Sequence, residues 1–376
     1  MLSKVLCVLY PDPVTGYPPE YARDDLPELP ETYPDSDQTL PSPSKQWFEP
    51  GSLLGSVSGE LGLREFLESQ GHELVVTSDK EGKDSEFEKH LPDADVVISQ
   101  PFWPAYLPEE RIRKAKNLKL VLTAGIGSDH VDTDAAANAG ITVAEITYSN
   151  SVSVAEHAVM QILDLVRNFV PSHQYAVNGG WNIADCVKRS YDLEGMDVGI
   201  IAAGRIGLAL ARRLKPFGVH LSYFKRHRLS EELEQELGLT YYESTEELVR
   251  NVDVVSIHSP LTDETRHLFD EELMNSMRRG SYIVNTARAE IMVRDDLIKV
   301  LESGQIAGYA GDVWYPQPAP VDHPWRRMPN EAMTPHISGA TLSAQTRIAD
   351  GVVECLEDFF RDERLRDEYI MAEPES

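Results

Sequence analysis

Val198-Gly199-Ile200-Ile201-Ala202-Ala203-Gly204-Arg205-Ile206-Gly207 is followed by His220-Leu221-Ser222-Tyr223-Phe224-Lys225-Arg226-His227-Arg228. The first stretch predicts a buried strand, a tight turn and a helix N-terminus. That is the arrangement that holds a dinucleotide's pyrophosphate on backbone N–H groups. The usual first glycine of the turn is Ala202 here; Gly204 and Gly207 keep the other two positions, with Arg205 and Ile206 opening the helix. The second stretch predicts the next strand, ending about 20 residues on, where an NAD enzyme places Asp or Glu for the ribose hydroxyls. Lys225 occupies that place. A carboxylate there repels a 2′-phosphate, whereas Lys and Arg attract it. The expected ligand is therefore a dinucleotide, NADP in preference to NAD, with Lys225, Arg226 and more weakly His227 on the phosphate.

Working outward, the same rhythm recurs on both sides. Candidate strands precede the turn at the N-terminus, Leu74–Val76, Asp95–Ser99, Leu118–Leu122 and Ile141–Ala144, and follow it at Asp253–His258, Ser281–Thr286 and Ile306–Val313. Helical patterns separate them, which predicts parallel sheets flanked by helices. Two long helices, Ser151 to Phe169 and Ser343 to Phe360, are the expected joints. The predicted fold is α/β with two Rossmann-like doubly wound domains, the cofactor domain (151–339) inserted into a catalytic domain made of 1–150 and 340–376. Pro11 to Pro50 is too proline-rich for a core element and is expected to be a long loop.

With 376 residues there is room for two cores. A net charge of −27 argues against nucleic acid or an anionic membrane as partner, and makes the cations at 225–228 run against the overall field. No apolar run reaches a membrane span, and the N-terminus lacks a signal-peptide layout. Three dispersed cysteines make neither a disulfide framework nor a metal site, so a cytoplasmic protein without metal is expected.

Polar residues that could carry chemistry fall at or after the later strands. Arg288 closes Ile283-Val284-Asn285-Thr286-Ala287-Arg288, where its fork would suit a carboxylate. Asp312 follows Gly308–Gly311, and His336 lies in Thr334-Pro335-His336-Ile337-Ser338-Gly339. Taken alone, the other readings are a structural salt bridge for Arg288, a capping or core imidazole for His336 and a strand-end cap for Asp312.

Together with Pro101-Phe102-Trp103-Pro104-Ala105-Tyr106, Gly125-Ile126-Gly127-Ser128-Asp129-His130, Asn150-Ser151-Val152-Ser153-Val154-Ala155-Glu156-His157 and Pro316-Gln317-Pro318, these segments closely resemble the metal-free, nicotinamide-dependent formate dehydrogenases of the D-2-hydroxyacid dehydrogenase superfamily. The resemblance runs from about residue 4 to 370. It implies that Arg288 and Asn150 hold the formate oxygens with help from the Ile126 backbone, that Gln317 orients His336, and that Pro101, Phe102 and Trp103 wall off water. It also implies that Asp312 and Ser338 meet the nicotinamide carboxamide and that the enzyme is a homodimer. Pro260, Thr286 and Gly339 are further expected cofactor contacts, and His258, in a loop expected to face the adenosine, is a candidate to help with the phosphate. A 2-hydroxy acid loses an O–H proton as hydride leaves, so a base is needed, and superfamily members that oxidise such acids are expected to pair the histidine with Glu. Formate has no such proton, and Gln317 orients the imidazole without adding charge. The alternatives are an NADP-dependent 2-hydroxyacid dehydrogenase and a dinucleotide-sensing protein like the superfamily's corepressors.

Departures from the family pattern are Lys225 for the usual Asp, Ala289-Glu290 after Arg288, and His258-Ser259 where Asn and Cys often stand. The chain also stops soon after Ile370, short of the tail that bacterial members carry.

Overall fold

The computed structural model describes residues 2–10 and 62–374. The proline-rich stretch from Pro11 to Pro50 lies outside them. Chain contacts divide the molecule into two compact units, Met1–Asn150 with Gly339–Ser376, and Ser151–Ser338. Gly339, expected in the cofactor domain, falls with the first unit.

The first unit contributes β1 (Lys4–Val8), β2 (Glu73–Thr77), β3 (Val96–Ser99), β4 (Leu120–Thr123) and β5 (Thr142–Glu145). The second holds β6 (Asp197–Ile201), β7 (His220–Phe224), β8 (Leu239–Tyr241), β9 (Val254–Ile257), β10 (Ser281–Asn285), β11 (Ile306–Gly311) and β12 (Glu331–Met333). The chain then returns to the first unit, where β13 (Ile370–Ala372) pairs antiparallel with β5.

Strand order in the first sheet is β13-β5-β4-β3-β1-β2, and in the second β12-β11-β10-β9-β6-β7-β8. All pairings except the one with β13 are parallel. Both sheets are doubly wound, and each has a point where the order reverses: between β1 and β3 in the first, between β6 and β9 in the second. Ligands of open α/β sheets bind at the carboxyl ends of strands flanking such a point.

The central strands are buried on both faces, which explains their near-continuous apolar sequence. In β1, Val5 and Cys7 join one hydrophobic layer with Leu120, Leu122 and the helix Leu342–Phe360, while Leu6 and Val8 join the opposite layer with Phe87, Val97 and Val121. In β6 and its neighbours, Ile201, Val255, Ile257 and Ile283 face one layer. Val198, Ile200, Leu221 and Tyr223 face the other. Against that second layer lies the helix Ser151–Val166, presenting Ala155, Ala158, Ile162 and Val166 at helical spacing.

That helix ends three residues before Phe169. Asn168 adopts a left-handed conformation (φ 52°) and its side-chain amide donates to the Cys186 carbonyl, so the chain breaks there and a second helix, Phe169–Val177, follows. At the other joint, the Thr341 hydroxyl accepts the Ala344 N–H at 3.1 Å and starts the helix at Leu342.

Candidate functional site

Three loops meet at the carboxyl edge of the second sheet, beside its reversal point. The Ala202 N–H donates to the Phe224 carbonyl at 2.9 Å, and the His258 N–H donates to the Ile201 carbonyl at 3.0 Å. The turn after β6 is thereby tied to the end of β7, where Lys225 begins, and to the loop after β9.

The turn suits an anion. Ala202 has φ 64°, the left-handed region where glycine is usual and where another residue carries strain of order 1–3 kcal/mol. Gly204 stands at the cap of the helix Arg205–Leu214, and the cap position itself therefore lays no side chain over the first turn. A Cβ on Gly204 would meet nothing nearer than the Ala202 carbonyl at 3.9 Å, leaving the backbone open to a phosphate. Gly207 has the opposite surroundings: a Cβ there would stand 2.9 Å from Ile200 Cγ2 and 3.0 Å from the Ala202 carbonyl oxygen. This glycine lets helix and strand approach closely. These features fit a bound dinucleotide, whose pyrophosphate would be held by Gly204, Arg205 and Ile206.

Gly207 yields a prediction against the ordinary trend. At an open helix position Gly→Ala stabilises by up to about 1 kcal/mol. Gly207→Ala is expected instead to destabilise by roughly 1–3 kcal/mol, since neither the strand nor the carbonyl can yield cheaply. Thermal unfolding of the cofactor-free protein checks the sign; an unchanged or raised Tm would refute the close-packing argument.

Around the turn, Lys225 is half-buried while Arg226 and His227 are exposed. Among the described residues the Lys225 side chain forms no ion pair, and Arg226 has only a loose contact with Glu264 at 3.9 Å, both partners exposed and weakly coupled. His258 is a different kind of residue. Its Nε2 lies 2.9 Å from Ser256 Oγ and its Nδ1 3.4 Å from Thr286 Oγ1, and burial pulls its pKa down to about 4. At neutral pH it is an uncharged imidazole that can donate or accept a hydrogen bond but adds no positive charge. The Pro260 carbonyl accepts the Thr265 hydroxyl at 2.7 Å.

Arg288 follows β10 and is placed by its neighbour. Asn285 is fully buried; its Oδ1 accepts the Ala287 N–H at 3.0 Å and its Nδ2 donates to the Arg288 carbonyl at 2.9 Å. The turn bearing Arg288 is thus fixed by backbone bonds, and the guanidinium donates to the Ala287 carbonyl at 2.8 Å.

His336 is fixed from two directions. Gln317 Oε1 lies 2.8 Å from His336 Nδ1; an amide oxygen only accepts, so the imidazole carries its proton on Nδ1. The loop holding the histidine, itself at φ 59°, is tied down by Asp312. This fully buried carboxylate accepts the Thr334 hydroxyl (2.6 Å) and the N–H groups of Ile337 (2.8 Å) and Ser338 (2.7 Å). His157, not assigned a role from sequence, completes the cluster: its Nε2 lies 3.0 Å from Thr334 Oγ1. Because Thr334 donates to Asp312, it accepts from the His157 Nε2–H, which fixes that tautomer. Burial lowers the His157 pKa against the opposing pull of Asp312 and Asp164.

In the first unit, the remaining expected residues form two groups. Pro101 presses on the loop that carries Ile126, since a Cβ on Gly125 would lie 2.9 Å from its ring. The same loop is shaped by the buried Glu145, which accepts the Gly127 N–H at 2.9 Å and the Ser128 hydroxyl at 3.2 Å. Phe102 is half-buried; Trp103 is buried edge-on to Tyr10 with its indole N–H on the Ser78 carbonyl. Asn150 lies against Gly339, where a Cβ would fall 2.5 Å from the Asn150 Nδ2. Among the described residues the buried Asn150 Oδ1 has no hydrogen-bond partner, a costly state unless something else supplies a donor.

Residues 159–338 match the D-isomer specific 2-hydroxyacid dehydrogenase, NAD binding domain. The strand order and glycine turn are those of a dinucleotide-binding domain, the kind of domain which that family describes. Over 372 residues the chain is 63% identical to the formate dehydrogenase of Pseudomonas sp. (strain 101), covering 99% of this chain and 92% of that protein. Among solved structures it is similar to a Granulicella formate dehydrogenase, with 64% identity, a TM-score of 0.88 and coverage of 99% and 98% of the two chains. It is also similar to the NAD-dependent formate dehydrogenase of Staphylococcus aureus in complex with NAD, at 43% identity and a TM-score of 0.82, with 99% and 100% covered. The chain belongs to the formate dehydrogenase family, as its motifs imply.

Proposed function

We propose that this protein oxidises formate to CO2 by direct hydride transfer to a nicotinamide dinucleotide, with NADP preferred over NAD. The observation that carries the reaction is the pairing of His336 with a neutral Gln317. Gln317 brings no negative charge to Nδ1, so this partner does not raise the basicity of the imidazole as a carboxylate in its place would. That disfavours removal of a hydroxyl proton, and with it a 2-hydroxy acid as substrate.

In this reading Arg288 and Asn150 hold the formate oxygens, the Ile126 backbone assists, and Pro101, Phe102 and Trp103 exclude water. His336 contributes an oriented polar group. When bound, the oxidised nicotinamide accepts a hydride. The formate C–H bond breaks with both electrons leaving on hydrogen, and the carboxylate becomes neutral CO2 with no proton to remove. The negative charge on the substrate disappears as the step proceeds, so a dry surrounding favours it.

The dinucleotide rests on Ala202, Gly204, Arg205, Ile206 and Gly207, with Lys225, Arg226 and His227 on the 2′-phosphate. His258 serves as a neutral hydrogen-bonding group beside Pro260 and Thr286. Asp312, Ser338 and Gly339 belong to the nicotinamide end, and the backbone bonds to Asp312 support a positioning task there.

We further infer a homodimer. Phe169, Val177, Trp181, Ile183, Val187 and Tyr191 lie exposed along one segment, Trp181 with 89% of its surface free, a run of exposed apolar side chains of the kind that marks an interaction surface. A cytoplasmic location fits three free cysteines, and among the described residues no helix is long and apolar enough to cross a membrane.

Steady-state rates with formate and each dinucleotide test the proposal. The kcat/KM for NADP is expected to exceed that for NAD by at least about tenfold, or ~1.4 kcal/mol. A tenfold advantage for NAD overturns the cofactor preference. Absence of formate-dependent reduction with either dinucleotide overturns the enzymatic reading and favours a sensor.

A further inference from the structure

Of the cations that follow β7, Arg228 does not take part in the site as proposed. Its Nε and Nη2 donate to both carboxylate oxygens of Glu234, at 2.9 and 2.8 Å, and its guanidinium lies over the Tyr241 ring at 5.2 Å. Glu234, with 10% of its side chain exposed, sits on the helix Glu231–Leu237. The same carboxylate accepts a third bond from the Tyr223 hydroxyl, at 2.6 Å. That hydroxyl in turn accepts the Leu229 N–H at 2.9 Å. The cationic turn is therefore closed at both ends. Tyr223, two residues before Lys225, bonds to the acid directly, and Leu229, two residues after His227, reaches it through the Tyr223 hydroxyl.

We propose that Glu234 is a positioning residue for cofactor specificity: it braces the 225–228 turn so that Lys225 and Arg226 face a 2′-phosphate. The inference rests on the NADP reading above and adds a residue that touches no ligand.

The charge logic supports the assignment. A carboxylate beside a phosphate site would repel the ligand, yet this one is neutralised by a two-pronged guanidinium and kept from solvent. Its pKa is held at about 2 by Arg228 and Tyr223, so it stays ionised. Arg228 is used up in that pairing, which leaves Lys225, Arg226 and His227 to meet an incoming anion. Without the acid, Arg228 and the turn lose their anchor, and the Tyr223 hydroxyl loses its acceptor in a buried place. The consequence falls on the 2′-phosphate and not on the parts of the dinucleotide that NAD shares, because the hydrogen bonds that make up the brace run between residues 223 and 234 and none of them reaches the glycine turn or the loops after β9 and β10.

The test is binding of NADPH and NADH to the cofactor-free protein, followed by quenching of tryptophan fluorescence, in Glu234→Ala and in the isosteric Glu234→Gln. The alanine variant is expected to raise the Kd for NADPH at least tenfold and that for NADH less than twofold, with the rise in KM for NADP matching. Glutamine keeps acceptor and shape but not the charge, and should give an intermediate NADPH loss. Thermal unfolding identifies a variant that has lost its fold; the glutamine variant then decides. An NADPH-to-NADH affinity ratio within twofold of the unmodified chain overturns the brace, as does equal weakening of both dinucleotides. The ratio in the unmodified chain tests the NADP reading itself. The change in that ratio tests Glu234, so failure of one is distinct from failure of the other.

Discussion

Replacing Arg288 by alanine is expected to lower kcat/KM for formate by roughly 30- to 4,000-fold while leaving dinucleotide affinity within about twofold. Truncating one partner of a close, desolvated charge pair costs roughly 2–5 kcal/mol, and each ~1.4 kcal/mol is tenfold in rate. The loss should be divided unevenly. Formate carries its full charge in the ground state and sheds it during hydride departure, so Coulombic attraction to Arg288 favours the bound substrate more than the transition state. The larger part of the effect should therefore appear in KM, with kcat falling because the C–H bond is no longer aimed. Dinucleotide binding should survive because the Asn285 side chain holds the turn through the Ala287 N–H and the Arg288 carbonyl, two bonds the substitution keeps. Arg288→Lys keeps the charge and loses the fork, and should recover only part of the activity. Steady-state kinetics over formate concentration, with NADPH binding measured in parallel, check this; retention of formate turnover within tenfold would remove Arg288 from the substrate site.

What could be read without coordinates divides along physical lines. The parallel strands are legible because burial on both faces makes them apolar without interruption, and Val96–Ser99, His220–Phe224 and Ser281–Asn285 lie within a residue of their sequence-predicted bounds. Leu239–Tyr241, Glu331–Met333 and Ile370–Ala372 are not legible. Three residues carry no periodicity, and these strands exist because a sheet edge offers them hydrogen bonds. The break at Asn168 was missed because the apolar pattern runs on through it to Phe169; only the side-chain bond to Cys186 marks it.

The same division holds in the site. Groups expected to touch ligands, such as Lys225 and Arg288, announce themselves by standing at strand ends. Groups that hold those in place do not. His157 meets Thr334 across 177 residues, and Glu145 meets Gly127 across 18. Nothing local distinguishes either from an ordinary helix or strand residue. Glu234 is harder still, reading as one of several acids on an exposed helix, and its task emerges only when Arg228 and Tyr223 are seen to converge on it. Asp312 is an intermediate case: its position is legible, but the three bonds with which it holds the His336 loop are not.

Lys225→Asp is expected to reverse the cofactor preference, shifting the NADP-to-NAD ratio of kcat/KM by about 10²-fold or more. Two effects act in the same direction. Removing the ammonium forfeits a charge-assisted contact with the 2′-phosphate, and the new carboxylate repels that phosphate while accepting hydrogen bonds from the ribose hydroxyls of NAD. Each is taken as worth roughly 1.5 kcal/mol at a partly exposed site, where effective dielectric is high. The local scaffold should tolerate the change, because Lys225 forms no ion pair among the described residues and the Ala202–Phe224 bond that sets the turn involves backbone only. Salt gives a second, independent signature. The cations at 225–227 attract the phosphate across solvent, so raising ionic strength should erode kcat/KM for NADP in the unmodified chain faster than for NAD, and the aspartate variant should lose that difference. A reversal without the salt effect would mean that shape governs the choice at this strand end. A salt effect without reversal would assign the charge to Arg226 and His227. Retention of the NADP preference together with its salt dependence would remove Lys225 from the phosphate site.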